Sequence, residues 1–115
     1  MKISDGELNL LELIWDNEPV KSGELVTIAL KELGWKKSTV YTVIKKLTLK
    51  NAVKSENSVV TALVSREDVA VQRAEGVKDA AGSLPMFIAA FLHKEKLTKE
   101  QAEELKRLID SYTEE

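Results

Sequence analysis

Lys36, Lys37, Ser38, Thr39, Tyr41, Thr42, Lys45, Lys46, Lys50 and Lys54 are the residues whose types and spacing could do chemistry together. The chemistry they suit is recognition rather than bond-making. Lysine ammonium groups neutralise phosphates, while short hydroxyl side chains and an aromatic ring can reach base edges in a DNA groove. Between them, Val40, Val43, Ile44 and Leu47 recur at i, i+3, i+4 and i+7, an apolar stripe on one side of a helix. The outer side is left with hydroxyls, one aromatic and cations, and no carboxylate. Residues 31–54 hold seven lysines against one acid, Glu32, a local charge of +6 in a chain whose net charge is -2. A solvated lysine face is the plain alternative for such a stretch taken alone.

Catalytic readings find little to stand on. The chain has no cysteine, which removes disulfides, thiol catalysis and cysteine metal sites. His93 is the only histidine and cannot form a dyad or a metal site by itself. Glu100, Glu103 and Glu104 are close in sequence, but Lys99, Lys106 and Arg107 stand among them, as on an ion-paired helix face. There is no glycine-rich phosphate loop and no nucleophile elbow. We expect no enzyme, no metal and no cofactor.

The recognition residues need a scaffold. At 115 residues, 43% hydrophobic and 31% charged, the chain suits one globular domain or a small domain with an appendage. No apolar run approaches the roughly 20 residues of a membrane span. The first residues lack a signal-peptide core, and a cytoplasmic protein is expected.

Ser4 with Glu7 forms a capping-box pattern before Leu8, Leu11, Ile14 and Trp15, which predicts a first helix over 4–16. Pro19 stops it, and Val20-Lys21 is a short extended piece. Ser22 is an N-cap candidate for a second helix over 23–33, and Gly34 suits its C-terminal cap. The third helix opens at Lys37 or Ser38 and runs to about Lys50, with Asn51 as its left-handed closure. Residues 52–56 and 58–64 are rich in β-branched types around Asn57 and predict a hairpin. Two helices, a short turn and a basic third helix followed by a hairpin make a winged helix-turn-helix. Trp15 and Trp35 are read as core.

From residue 65 the pattern turns helical again. Ser65 with Asp68 opens a helix over 66–81, Gly82-Ser83 breaks it, and the most apolar run of the chain follows at 84–92. Thr98 with Gln101 caps a last helix over 99–112. The fold class is therefore mainly α with a small β-hairpin. We divide it into a winged-helix DNA-binding domain, 1–64, and a helical dimerisation region, 65–115. The tail has too few residues for a closed core of its own, so its apolar stripes need a partner, and a second copy is the economical one. Phe87, Ile88, Phe91, Leu92, Leu105, Leu108, Ile109 and Tyr112 are the candidate interface residues. Packing of the tail back onto its own winged helix is the alternative.

Three segments resemble a known family. They are Ile14-Trp15-Asp16-Asn17-Glu18-Pro19-Val20, Gly23-Glu24-Leu25, and Trp35 followed by Ser38-Thr39-Val40-Tyr41-Thr42-Val43-Ile44-Lys45-Lys46-Leu47. Together they resemble the bacterial penicillinase/methicillin-resistance repressor family (BlaI/MecI type). The wing exit at 63–67 and the cadence of 97–109 resemble that family too, so the likeness runs over essentially the whole chain. The resemblance implies a homodimeric repressor whose winged helix binds double-stranded DNA at operator half-sites and whose C-terminal helices interlock two subunits. It also implies a sensor protease system, with a cut region that falls at Ala90 and Phe91. Three departures stand out. The wing tip is short, about Ser55-Glu56-Asn57-Ser58. Asn51 replaces the family's helix-closing glycine. Ala90 stands where the β-lactam repressors have asparagine. The paired C-terminal cysteines of the copper-responsive branch are missing.

The resemblance thus implies a homodimeric, palindrome-binding transcriptional repressor. The rival is a winged helix used as a protein-interaction module, its tail docking a heterologous partner. The acidic pI of about 5.6 and the short wing favour the rival. The lysines and threonines on helix three oppose it, because a protein-docking face would usually expose apolar residues there.

Overall fold

In the computed structural model, which describes residues 2–113, Ser4 starts helix α1 (Asp5–Asn17) with a complete capping box. The Ser4 hydroxyl accepts from Glu7 N–H, and the Glu7 carboxylate accepts from Ser4 N–H at 2.9 Å. Two orphan donors of the first turn are thereby satisfied. Leu10, Leu11 and Ile14 recur along the inner face and are fully buried. After Pro19 comes strand β1 (Val20–Lys21), then helix α2 (Ser22–Leu33). Lys21 is the N-cap of α2 and Ser22 its first residue, so Ser22 does not play the capping role its type suggested. Gly34 closes α2 in the left-handed region at φ 69, where glycine carries no Cβ penalty.

Helix α3 (Lys37–Leu49) follows within a few residues, and Asn51 turns the chain at φ 58. Strands β2 (Val53–Glu56) and β3 (Val59–Ala62) form an antiparallel hairpin. Its two-residue tip, Asn57-Ser58, has positive φ at both positions, as a tight turn matched to strand twist requires. The extended piece at Val20–Lys21 is a third strand: β1 pairs with β3 through Val20↔Val60 and Lys21↔Val59, giving the order β1-β3-β2. One apolar core joins these elements, built from residues such as Leu10, Ile14, Leu25, Val40, Leu47, Val53 and Val60.

Helix α4 (Arg66–Ala81) begins with Ser65 and Asp68 bonded reciprocally through side chain and backbone. The chain divides into two compact units, one ending at Glu75 and one beginning at Gly76. The first turns of α4 belong with the winged helix for a physical reason. Val69 is buried in its core, Arg66 pairs with Glu12 and Asp16, and the Arg73 guanidinium donates to the carbonyl of Ile3.

The second unit holds the end of α4, helix α5 (Leu84–Lys94) and helix α6 (Lys99–Tyr112). Ser83 caps α5 with Pro85 in its first turn, and Thr98 and Gln101 form a capping box on α6. Neither helix has a buried residue. Among the described residues, no helix is long and apolar enough to cross a membrane.

Candidate nucleic-acid interface

The two faces of α3 separate as the apolar period requires. Val40 and Leu47 are wholly buried and Ile44 nearly so. Lys37, Ser38, Thr39, Tyr41, Thr42, Lys45 and Lys46 all face solvent. Burying one stripe against α1 and α2 holds the other stripe outward on a rigid element, which is how a recognition helix keeps its side chains in register with a groove. Lys36, the N-cap of α3, is exposed, and so is Lys54 on β2.

Local bonds constrain the outer face. The Thr42 hydroxyl donates to the Ser38 carbonyl at 2.8 Å. In that state it can only accept, which suits the exocyclic amino groups of adenine or cytosine. The Tyr41 hydroxyl lies 3.5 Å from the Ser22 hydroxyl at the start of α2, and the Lys37 ammonium stands 6.0 Å from the Tyr41 ring centroid. Ser22, read from sequence only as a cap, is therefore a polar neighbour of the outer face of α3. The side chains of the N-caps of α2 and α3 make no capping bond, so both helices present first-turn N–H groups unclaimed by a cap.

The lysines are not equivalent. The salt bridges among the described residues use Lys50, Arg66 and Arg73 as cations and none of Lys36, Lys37, Lys45, Lys46 or Lys54. Lys50 sits at the C-cap of α3 and turns inward. Its ammonium donates to the Glu7 carboxylate and to the Lys2 carbonyl, each at 2.6 Å. Glu7 is 3% exposed. Burial pushes its carboxyl up, but the Lys50 ammonium and the bonds from Ser4 outweigh this and hold it below the ordinary glutamate range. One oxygen, Oε2, has no hydrogen-bond partner.

Both tryptophans are half-buried beside the core rather than within it. The Trp15 indole N–H donates to the Val64 carbonyl at 3.0 Å, and the Arg66 guanidinium lies 5.2 Å from its ring centroid. Trp15 thus fastens the wing exit to α1.

In the second unit, Phe87 is half-buried and its ring lies 6.4 Å from that of Phe91. Ile88, Phe91, Leu92, Leu105, Leu108, Ile109 and Tyr112 are all exposed. Val77, Ala81, Phe87, Ala90 and Phe91 line an apolar groove of about 290 Å³ with Lys94 and Glu95 at its rim.

Two comparisons with known proteins bear on this surface. The family model described as penicillinase repressor matches residues 3–111. The chain is also similar to the penicillinase repressor of Bacillus licheniformis, at 22% identity over 96% of this chain and 91% of that protein. The chain belongs to the penicillinase repressor family. That membership makes it a DNA-binding transcriptional repressor.

Against this family background, sequence reasoning missed the inward turn of Lys50. The sequence signal was partial: Glu7 is the capping-box partner of Ser4, but only the fold makes it the one buried charged residue among the described residues. Nothing in the spacing of 7 and 50, however, places them together. They meet only because α1 packs against α3.

Proposed function

We propose that the protein represses transcription as a homodimer on a palindromic operator, each subunit setting α3 into the major groove of one half-site. The observation that carries this reading is the outer face of α3. Its hydroxyls and Tyr41 lie among lysines that form no ion pair among the described residues, over an inner stripe in which Val40, Ile44 and Leu47 are buried and Val43 half-buried. Charge-assisted phosphate contacts from Lys36, Lys37, Lys45, Lys46 and Lys54 supply much of the affinity, while Ser38, Thr39, Tyr41 and Thr42 read bases. The short Asn57-Ser58 tip leaves little wing to add to this.

The dimer reading rests on α5 and α6, in which no residue is fully buried and which expose Phe91, Leu105, Leu108, Ile109 and Tyr112. Such stripes are stable in water when a second copy covers them. The working compartment is the bacterial cytoplasm, where the operator is. A sensor protease acting between Ala90 and Phe91 would have to open α5 locally, since both residues lie inside its hydrogen-bond ladder.

The test is selection of duplexes from a random-sequence pool by the full chain at low salt. Recovery of an inverted repeat with half-sites about one helical turn apart is the expected result. Failure to enrich any sequence would overturn the reading.

A further inference from the structure

We infer that Lys50 and Glu7 form a positioning clamp for the recognition helix, and that Lys50 does not serve as a phosphate ligand although it lies in the basic patch. The inference rests on the reading of α3 as the DNA reader. Lys50 ends α3, and Glu7 lies in the first turn of α1. The ammonium bonds at 2.6 Å both to the Glu7 carboxylate and to the Lys2 carbonyl just ahead of α1. The same carboxylate oxygen accepts from the Ser4 backbone N–H.

One oxygen therefore caps the N-terminus of α1 and holds the cation at the C-terminus of α3. Both placements also suit the helix dipoles, an anion at an N-terminus and a cation at a C-terminus. The Glu7 side chain is 4% exposed and that of Lys50 35%, so the carboxylate end of the clamp is buried and only its cation reaches water.

Position at this end matters because the reading residues lie at the other. Ser38 is separated from Lys50 by about 18 Å of helix, so a tilt of about 5° at the clamp moves it by about 1.6 Å. A shift of that size takes a side chain out of hydrogen-bond reach of a base edge while leaving most phosphate contacts in place.

The test uses the full chain and two probes. One is a duplex enriched by the wild type from a random pool, and the other a scrambled duplex of equal length. Binding is followed by fluorescence anisotropy across a salt series for the wild type, Lys50→Met, Lys50→Arg, Glu7→Gln and Lys45→Ala. The clamp predicts that Lys50→Met and Glu7→Gln each weaken binding to the enriched duplex by about tenfold, the scale of one lost base contact. Binding to the scrambled duplex is expected to change little, so the specificity ratio falls. A loss of folded protein would lower both affinities together and leave that ratio unmoved.

The salt slope separates the roles of the two lysines. Lys45→Ala, which removes one contact from each subunit of the dimer, should reduce it by about 1.8, and Lys50→Met should leave it unchanged. Lys50→Arg should restore most of the ratio. If Lys50→Met reduces the slope as Lys45→Ala does, or if Glu7→Gln strengthens binding as removal of an anion beside DNA would, the clamp is overturned. Should Lys50→Met fail to fold, the direction of change in Glu7→Gln decides. A wild type that binds neither duplex with any salt dependence would overturn the DNA-reader reading itself, and the clamp with it.

Discussion

The double variant Lys45→Ala/Lys46→Ala is the sharpest probe of the recognition surface, because its effect can be worked out in advance. Five lysines of the patch, Lys36, Lys37, Lys45, Lys46 and Lys54, are exposed and form no ion pair among the described residues. If all of them meet phosphates in both subunits of a bound dimer, the contacts number about ten and the log–log salt slope is about -9. Raising salt fourfold, from about 50 to about 200 mM, then weakens binding about 3 × 10⁵-fold. Removing two lysines from each subunit leaves about six contacts, a slope of about -5.4, and a loss of only about 2 × 10³-fold over the same interval. The assay is anisotropy of a labelled duplex enriched by the wild type, with both proteins titrated at several salt concentrations. A shallower slope for the variant is the required result. Equal slopes would refute the assignment even if the variant bound more weakly at one salt concentration, because an altered fold changes affinity without changing the number of counterions released.

Other consequences follow from the packing and the charges. Leu47→Ala removes a fully buried side chain from the inner stripe of α3 and should cost about 2–5 kcal/mol in urea unfolding; an unchanged midpoint would refute that packing. Leu105→Asp and Ile109→Asp should each make the protein sediment as a monomer at micromolar concentration. If both variants stay dimeric, α6 is not the interface, and a monomeric wild type would favour a tail that docks some other protein. Glu7 adds a pH dependence. Its folded carboxyl titrates below the ordinary glutamate range, so its contribution is fully present above that range and disappears as pH falls through the depressed value. Glu7→Gln should therefore lower stability at neutral pH by about 1–2 kcal/mol, modest because Lys50 is partly open to water, and flatten the acid limb of the stability profile. A wild type and variant with parallel acid limbs would contradict the pairing.

Much of the fold was legible in the sequence because it is written in local signals. Ser4 with Glu7, Ser65 with Asp68 and Thr98 with Gln101 marked helix starts through bonds spanning three residues. Gly34 and Asn51 closed helices with left-handed angles, as their types suggested. The period of Val40, Val43, Ile44 and Leu47 predicted which side of α3 faces inward, and the burial of Val40, Ile44 and Leu47 agrees. These features depend on neighbours within a turn, so the order of residues is sufficient to reveal them.

What tertiary structure decided are the pairings between residues far apart in the chain. Val20–Lys21 reads in sequence only as a short extended piece and becomes a paired strand because β3 offers it an edge. The first turns of α4 join the winged helix because Val69 finds the core and Arg66 finds Glu12 and Asp16. Lys50 illustrates the division most clearly. By sequence it is one more cation in a run of lysines suited to phosphate. In the folded chain it lies beside the buried carboxylate of Glu7, 43 residues away. Type and local spacing made Lys50 a candidate like its neighbours, but the packing of α1 against α3 decided that it pairs within the fold, since a buried anion needs a partner and takes the cation within reach.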